Sequence, residues 1–232
     1  FPYVRTTGKC NHWRVQQTIA ADNAATANST ALKAIKGGAD AICFTFTKEI
    51  SAADLDTLLK GIDPDQTELT FSGAGVPKLA GQMALKAGKD GYSKENSRLN
   101  FIIDPLINKL SLTGDMSCCK DGSCFQTVAG LIKNSEYKKW RLVGVGGHNF
   151  HNSGSTIVQE LAFTLAAGHE YVVKLMEAGL TIDQAARTIR FSMAVSSNYF
   201  MEIAKFRAAR MLWANIIKEY GPECDCAMKM RT

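Results

Sequence analysis

The chain has 232 residues, a length that one large domain can hold. Its 46% hydrophobic and 21% charged residues sit near the globular average, which excludes a disordered tail or a collagen-like fibre, and no run approaches the ~18 unbroken apolar residues of a membrane span. Lys and Arg number 27 against 22 Asp and Glu, and the net charge of +5 is too diffuse for a nucleic-acid footprint.

From the N-terminus, strands and helices alternate. Trp13, Val15 and Ile19 lie on one alternating face and predict a strand over 13–19. Asp22 is the expected cap of an alanine-rich helix ending near Gly37 and Gly38. A short apolar strand over 41–46 follows, then a helix capped by Ser51 with Leu55, Leu58 and Leu59 on one face. A strand over 69–72 leads to a helix over 76–87 closed by Gly88, and a strand over 99–103 ends at Asp104-Pro105. Beyond a loop rich in Gly, Ser and Cys, the pattern predicts a helix over 125–132 and a strand over 141–145. A long helix over 156–178 stops at Gly179, and Thr181-Ile-Asp-Gln184 is a capping box that restarts a shorter one. A strand over 191–195 precedes a helix over 198–220 whose apolar residues lie on more than one face. Such a helix is buried on both sides or sits at an interface. Alternating apolar positions from Cys224 to Met230 read as the opening of another strand.

Six strands each followed by a helix, with a seventh beginning, predict an α/β fold with a parallel sheet. No dinucleotide fingerprint is present: Gly144-Val-Gly146-Gly147-His148-Asn149 has Asn where a third Gly is needed. An incomplete (β/α)₈ TIM-type barrel is therefore favoured over a doubly wound sheet. The glycines of that stretch serve close backbone approach or positive φ. The chain opens at Phe1-Pro2-Tyr3 without Met or a signal pattern and stops where a strand begins. Residues 1–232 are thus expected to be a barrel-domain fragment of a longer protein.

Seven cysteines, several inside apolar runs, fit a reduced cytoplasmic setting better than a disulfide framework. Cys118, Cys119 and Cys124 match no common zinc spacing, so no metal is expected there. In a barrel, chemistry gathers at the C-terminal ends of the strands. That places Thr18, Thr47, Ser72, Gly73, Asp104, Gly146 to Asn149, Ser196 and Ser197 at the mouth. His148 and His151 lack an obvious third metal ligand other than Asp104 and read better as acid–base candidates, because imidazole titrates near neutral pH. The bland alternative is a pair of hydrogen-bonded histidines and an Asp104 that simply ends its strand. Lys205, Arg207 and Arg210 could meet an acidic partner, but a solvated helix face is the commoner explanation.

The stretch Asn152-Ser-Gly-Ser-Thr-Ile-Val-Gln-Glu-Leu-Ala-Phe163, continued by Thr-Leu-Ala-Ala-Gly-His-Glu-Tyr171, resembles the acyl-CoA mutases that use adenosylcobalamin. So do Ile189-Arg-Phe191 and the run from Phe200-Met-Glu-Ile-Ala-Lys205 to Trp213. The opening Pro2-Tyr3-Val4-Arg5, Trp13-Arg-Val-Gln-Gln17 and Asp22-Asn-Ala-Ala-Thr-Ala-Asn28 look like the same family. The likeness runs over nearly the whole chain, is most specific from 152 to 213, and is greatest to the small (beta) subunits of the bacterial methylmalonyl-CoA mutase family.

The resemblance implies an N-terminal barrel followed by a flavodoxin-like, cobalamin-type domain that this chain lacks. It also implies an isomerase of propionate metabolism that interconverts methylmalonyl-CoA and succinyl-CoA, with the cofactor supplying the radical chemistry. Registered on Gly154, the Tyr-His pair of catalytic chains falls on His148 and Asn149, so an amide replaces the imidazole donor. The substrate-carboxylate Arg has no counterpart in 122–127, nor the substrate-contacting Tyr in 6–12. Three departures imply that no residue here is catalytic. The chain would be a structural partner of a homologous large catalytic subunit in a heterodimer, with acyl-CoA in the partner and adenosylcobalamin in the assembled enzyme rather than on this fragment. The helix over 198–220 is one candidate contact surface. The alternative is an active chain of altered specificity with His148 as donor; a third reading is an unrelated barrel enzyme with an Asp104/His148 acid–base pair. Catalytic barrels of the family thread the CoA arm through small polar residues, whereas the strands here carry Phe44, Phe46, Phe71, Phe101, Ile103 and Met193, some of which are expected to point inward.

Overall fold

The computed structural model describes residues 13–107 and 123–232. The expectations for residues 6–12, for Cys118 and Cys119 and for their loop lie outside the described residues. The described chain forms two compact units, one from residues 13–103 and 134–142, the other from 104–107, 123–133 and 143–232. Its six strands form a parallel sheet in chain order that does not close among the described residues, in keeping with an incomplete barrel.

The first unit holds β1 (Gln16–Ala20), α1 (Ala24–Lys36), β2 (Ala41–Phe46), α2 (Ala52–Leu58), β3 (Glu68–Gly73), α3 (Val76–Asp90) and β4 (Leu99–Ile103). The cap of α1 is Asn23, not Asp22: the Asn23 side chain accepts the Thr26 N–H, whereas Asp22 accepts the Thr47 N–H and ties the β1 and β2 loops together. The short side chains of Ala24, Ala27 and Ala31 are buried, and Asn28 donates to the Leu58 and Lys60 carbonyls at the end of α2. Helix α3 runs through Gly88 and ends at Gly91, whose left-handed φ of 71° closes it. Gly88 therefore acts as an ordinary helical residue, because a second glycine one turn later makes the stop.

Strand register separates two faces of this part of the sheet. Ile42 pairs with Leu69 and Leu69 with Leu99; Phe44 pairs with Phe71 and Phe71 with Phe101. These residues are fully buried, and the rings of Phe44, Phe71 and Phe101 stack in a row. The opposite parity carries Thr18, Cys43, Thr70 and Asn100 in one register row, with Gln16 and Glu68 beside it. That face is joined by hydrogen bonds: Asn100 donates to Glu68 and Thr70, and Thr70 donates to Gln16. Phe44, Phe46, Phe71 and Phe101 share one buried face, and Cys43, Thr70 and Asn100 on the opposite face are buried too.

The second unit holds α4 (Ser123–Lys133), most of β5 (Arg141–Gly146), α5 (His148–Asn152), α6 (Ile157–Glu177), α7 (Ile182–Thr188), β6 (Ile189–Ser192) and α8 (Tyr199–Lys218). Capping boxes start α6 at Thr156 and Gln159 and α7 at Thr181 and Gln184. Helix α6 presses its Gly168 against the edge-on pair Phe191–Trp213, where any Cβ would lie 2.6 Å from the Phe191 ring. Strand β6 begins and ends earlier than the predicted 191–195. Beyond Ser192 the backbone leaves the ladder because side-chain carboxylates take the N–H groups of Ala194 and Ser196.

The segment expected to open a seventh strand instead forms a 3₁₀ turn over Asp225–Met228, and beyond it the Phe191 N–H of β6 donates to the Arg231 carbonyl. Cys224 and Cys226 are joined as a disulfide with a Cα separation of 5.2 Å, a span such a bridge reaches. This bridge departs from the reduced setting that the cysteine pattern favours over a disulfide framework; Cys43 is buried. Substituting Asn23→Ala is expected to cost about 1 kcal/mol and Asn23→Asp almost nothing, read from urea unfolding midpoints.

Candidate functional site

The second unit gathers its polar groups where β4, β5 and β6 end. Asp104 directly follows β4 and is buried. Its Oδ1 accepts the Ile107 N–H at 3.0 Å and the Tyr171 hydroxyl of α6, and its Oδ2 accepts the Gly146 N–H at 3.0 Å. Tyr171 also accepts the Leu106 N–H. Burial, then the adjacent Asp104 charge, pushes the Tyr171 phenol far above its ordinary range, so it stays a donor. Asp104 thus pins the end of β5 to the turn after β4, and its oxygens are occupied by donors of the fold.

The two glycines that follow allow this approach. A Cβ on Gly146 would lie 2.6 Å from Asn149 Nδ2, 3.0 Å from Asp104 Oδ2 and 3.6 Å from His148 Cε1. A Cβ on Gly147 would fall onto the Thr164 hydroxyl and 2.9 Å from the Ser192 carbonyl. Gly147 has a φ of −56°, so of the two reasons considered for this glycine, close approach is the operative one. His148, Asn149 and His151 lie on the short helix α5. Asp104, His148 and Asn149 therefore do converge, around Gly146. His148 Nδ1 and His151 Nδ1 are buried without a hydrogen-bond partner.

A second polar cluster lies under the β6–α8 connection. Lys205, 0% exposed, donates to Glu160 Oε2 at 2.8 Å and to the Ala194 carbonyl at 2.7 Å, and pairs with Glu202 Oε2 at 2.6 Å. Glu160 Oε1 accepts the Ala194 N–H, and Glu202 Oε1 accepts both the N–H and hydroxyl of Ser196. His151 Nδ1 stands 3.8 Å from Glu160 Oε2. Burial opposes the Lys205 charge, but its bonds to Glu160 and Glu202 outweigh that and hold the ammonium above its ordinary range. For Glu202, burial works upward and the bonds from Lys205 and Ser196 work downward more strongly, leaving the carboxyl below its ordinary range.

Lys205 is therefore not part of a solvated face. Helix α8 is inverted at its start: Tyr199, Phe200 and Ile203 are exposed, Phe200 by 80%, while Glu202 and Lys205 are buried. Sequence reasoning missed Glu160, Tyr171 and Glu202. Their partners stand 45, 67 and 6 positions away, and the one local sign was Glu202-x-x-Lys205 at helical spacing.

The remaining mouth candidates, Thr18, Thr47, Ser72 and Gly73, lie in the first unit. There a cleft of about 370 Å³ is lined by Asp22, Asn23, Lys48, Glu49, Asp54 and Thr57, among others. No group of three or more His, Cys, Asp or Glu side chains placed to hold a metal occurs among the described residues.

A sequence model of the family described as methylmalonyl-CoA mutase matches residues 49–232. The chain belongs to the methylmalonyl-CoA mutase family. It is 35% identical, over 96% of its length, to the methylmalonyl-CoA mutase small subunit of Porphyromonas gingivalis, of which it covers 36%. It is 28% identical over 78% of its length to the large subunit from the same organism, covering 26% of it. To the methylmalonyl-CoA mutase of Rhizobium meliloti it is 35% identical over 78% of its length, covering 26% of that protein. The chain thus spans about a third or less of the length of these relatives.

Lys205→Ala is expected to lower stability by about 3–5 kcal/mol near neutral pH, because two buried carboxylates lose their counter-ion. Glu202, whose carboxyl is depressed in the fold, contributes stability above its ordinary value of 4.5 that is lost as pH falls through its lower folded value. Glu202→Gln is accordingly expected to flatten the acid limb of stability below about pH 4.5, measured as urea midpoint against pH.

Proposed function

We propose that this chain is the N-terminal barrel part of a small-subunit-type mutase chain. It supports a homologous large catalytic subunit in a heterodimer rather than performing chemistry itself. The assembled enzyme would interconvert methylmalonyl-CoA and succinyl-CoA in the cytoplasm, and a flavodoxin-like domain would belong to the longer protein. The observation that carries this reading is the state of Asp104. Its carboxylate is taken up by Tyr171, Ile107 and Gly146, and its neighbour at position 149 is an amide where the resemblance places an imidazole in catalytic chains. An acid–base pair of Asp104 with His148 would first have to break bonds that hold β5 in place, which argues against the unrelated-enzyme reading.

The reading keeps adenosylcobalamin in the assembled enzyme rather than on this chain, and it is supported by the first unit's cleft, which at about 370 Å³ is small for a corrin ring with its nucleotide tail and is lined by acidic Asp22, Glu49 and Asp54. No helix among the described residues is long and apolar enough to cross a membrane. The exposed Tyr199, Phe200 and Ile203 make the start of α8, rather than its whole length, the candidate contact with the large subunit.

One observation favours the second reading, an active chain of altered specificity using His148. The polar row Thr18, Cys43, Thr70 and Asn100 is the kind of lining the family's CoA arm requires. The two readings part on turnover. The full-length chain alone, given adenosylcobalamin and methylmalonyl-CoA, is expected to show no turnover, while its pair with the large subunit is active and His148→Ala changes the pair's kcat less than twofold. Turnover by the isolated chain that His148→Ala abolishes would replace this reading with the second one.

A further inference from the structure

We propose that Cys224 and Cys226 form a thiol–disulfide exchange site for small thiol reductants, and that its redox state governs the bond between Arg231 and β6. One residue separates the two cysteines, and the structure closes them into a disulfide at the start of a 3₁₀ turn, where Cys224 and Asp225 are exposed and Ala227 is buried. The turn is anchored from outside the ring. Asp183, in the first turn of α7, accepts the Glu223 N–H and the Cys224 N–H, each at 3.0 Å. Within the ring, the Cys226 N–H points at Cys224 Sγ at 3.2 Å.

The other side of the ring leads to the sheet. Arg231 donates through Nη2 to the Cys226 carbonyl at 3.2 Å and through Nη1 to the Lys229 carbonyl at 3.1 Å. Its own carbonyl accepts the Phe191 N–H of β6 at 2.8 Å. Burial, then the nearby Arg187 charge, works against the Arg231 guanidinium, so the carbonyls it bonds matter to where it sits. The oxidised ring holds the Cys226 carbonyl in the direction Arg231 needs. Opening the ring frees the torsions of Cys224, Asp225 and Cys226 and loosens that contact, and with it the Arg231–Phe191 bond.

The residues also set the order of events. Cys224 is exposed and Cys226 half-buried, so an external thiolate reaches Cys224 Sγ first. It forms a mixed disulfide there, the Cys224–Cys226 bond breaks, and the electron pair leaves on Cys226 Sγ, which takes a proton from water. A second thiolate attacks the small-molecule sulfur of the mixed disulfide and releases Cys224, which is protonated in turn. Two small thiols are thereby oxidised to one small disulfide, and one protein disulfide is reduced to two thiols.

The test uses the full chain equilibrated in glutathione buffers from fully reduced to fully oxidised, then trapped by alkylation, digested and weighed. Cys224 and Cys226 are expected to pass together and reversibly between bridged and alkylated forms. The Phe191 amide is expected to exchange its hydrogen at least tenfold faster in the reduced chain. The double variant Cys224→Ser with Cys226→Ser is expected to show the fast exchange in every buffer. A pair that stays alkylatable in oxidised glutathione, a stable glutathione adduct on Cys224 beside a free Cys226, or a Phe191 amide indifferent to the buffer would each overturn the proposal; all three readings come from the unmodified chain and do not depend on the variant folding.

Discussion

The geometry of the second unit depends on one buried ammonium. Lys205 lies between Glu160 of α6 and Glu202 of its own helix, and all three side chains are almost wholly withdrawn from water. Ions in such a place are stable only as a complete set, since removing one partner strands the charge of the others. The set is completed by backbone: Ala194 offers its N–H to one carboxylate and its carbonyl to the ammonium, and Ser196 offers its N–H and hydroxyl to the other carboxylate. Those bonds end β6 at Ser192, fix the connection to α8 and turn the apolar start of that helix outward.

The same principle operates at Asp104. A carboxylate at the end of a barrel strand is positioned for chemistry, yet here each oxygen accepts hydrogen bonds from the surrounding fold. The glycines at 146 and 147 are the sequence's concession to this packing, because side-chain atoms fill the space a Cβ would need. Asn149 sits in that crowd as an amide, able to donate and accept but not to titrate. The local bonding is that of residues that hold strands in place.

Much of the architecture was legible because it is local. The apolar run from Ala41 to Phe46, the Ser51 cap and the Thr181–Gln184 capping box each announce an element through neighbours in sequence, and each appears where expected. Errors arose where two local signals competed. Asp22 and Asn23 are both good caps, and only the Asp22 contact with Thr47, 25 residues on, assigns the role to Asn23. Gly88 and Gly91 are both good stops, and the helix used the later one. The face carried by the phenylalanines could not be read from composition, since strand alternation gives two faces and only register and burial name them. The buried triad was the least visible. A lysine on a helix with neighbouring arginines reads as solvated until its partner 45 residues away is known.

The central claim is that this chain supports chemistry performed elsewhere. It is tested most directly by a structure of the full-length chain assembled with the large subunit and soaked with an acyl-CoA substrate. The account predicts the acyl thioester in the barrel of the large subunit, with Asp104 of this chain still bonded to Tyr171 and Gly146. An acyl group resting against His148 of this chain, with Asp104 released from Tyr171, would contradict it.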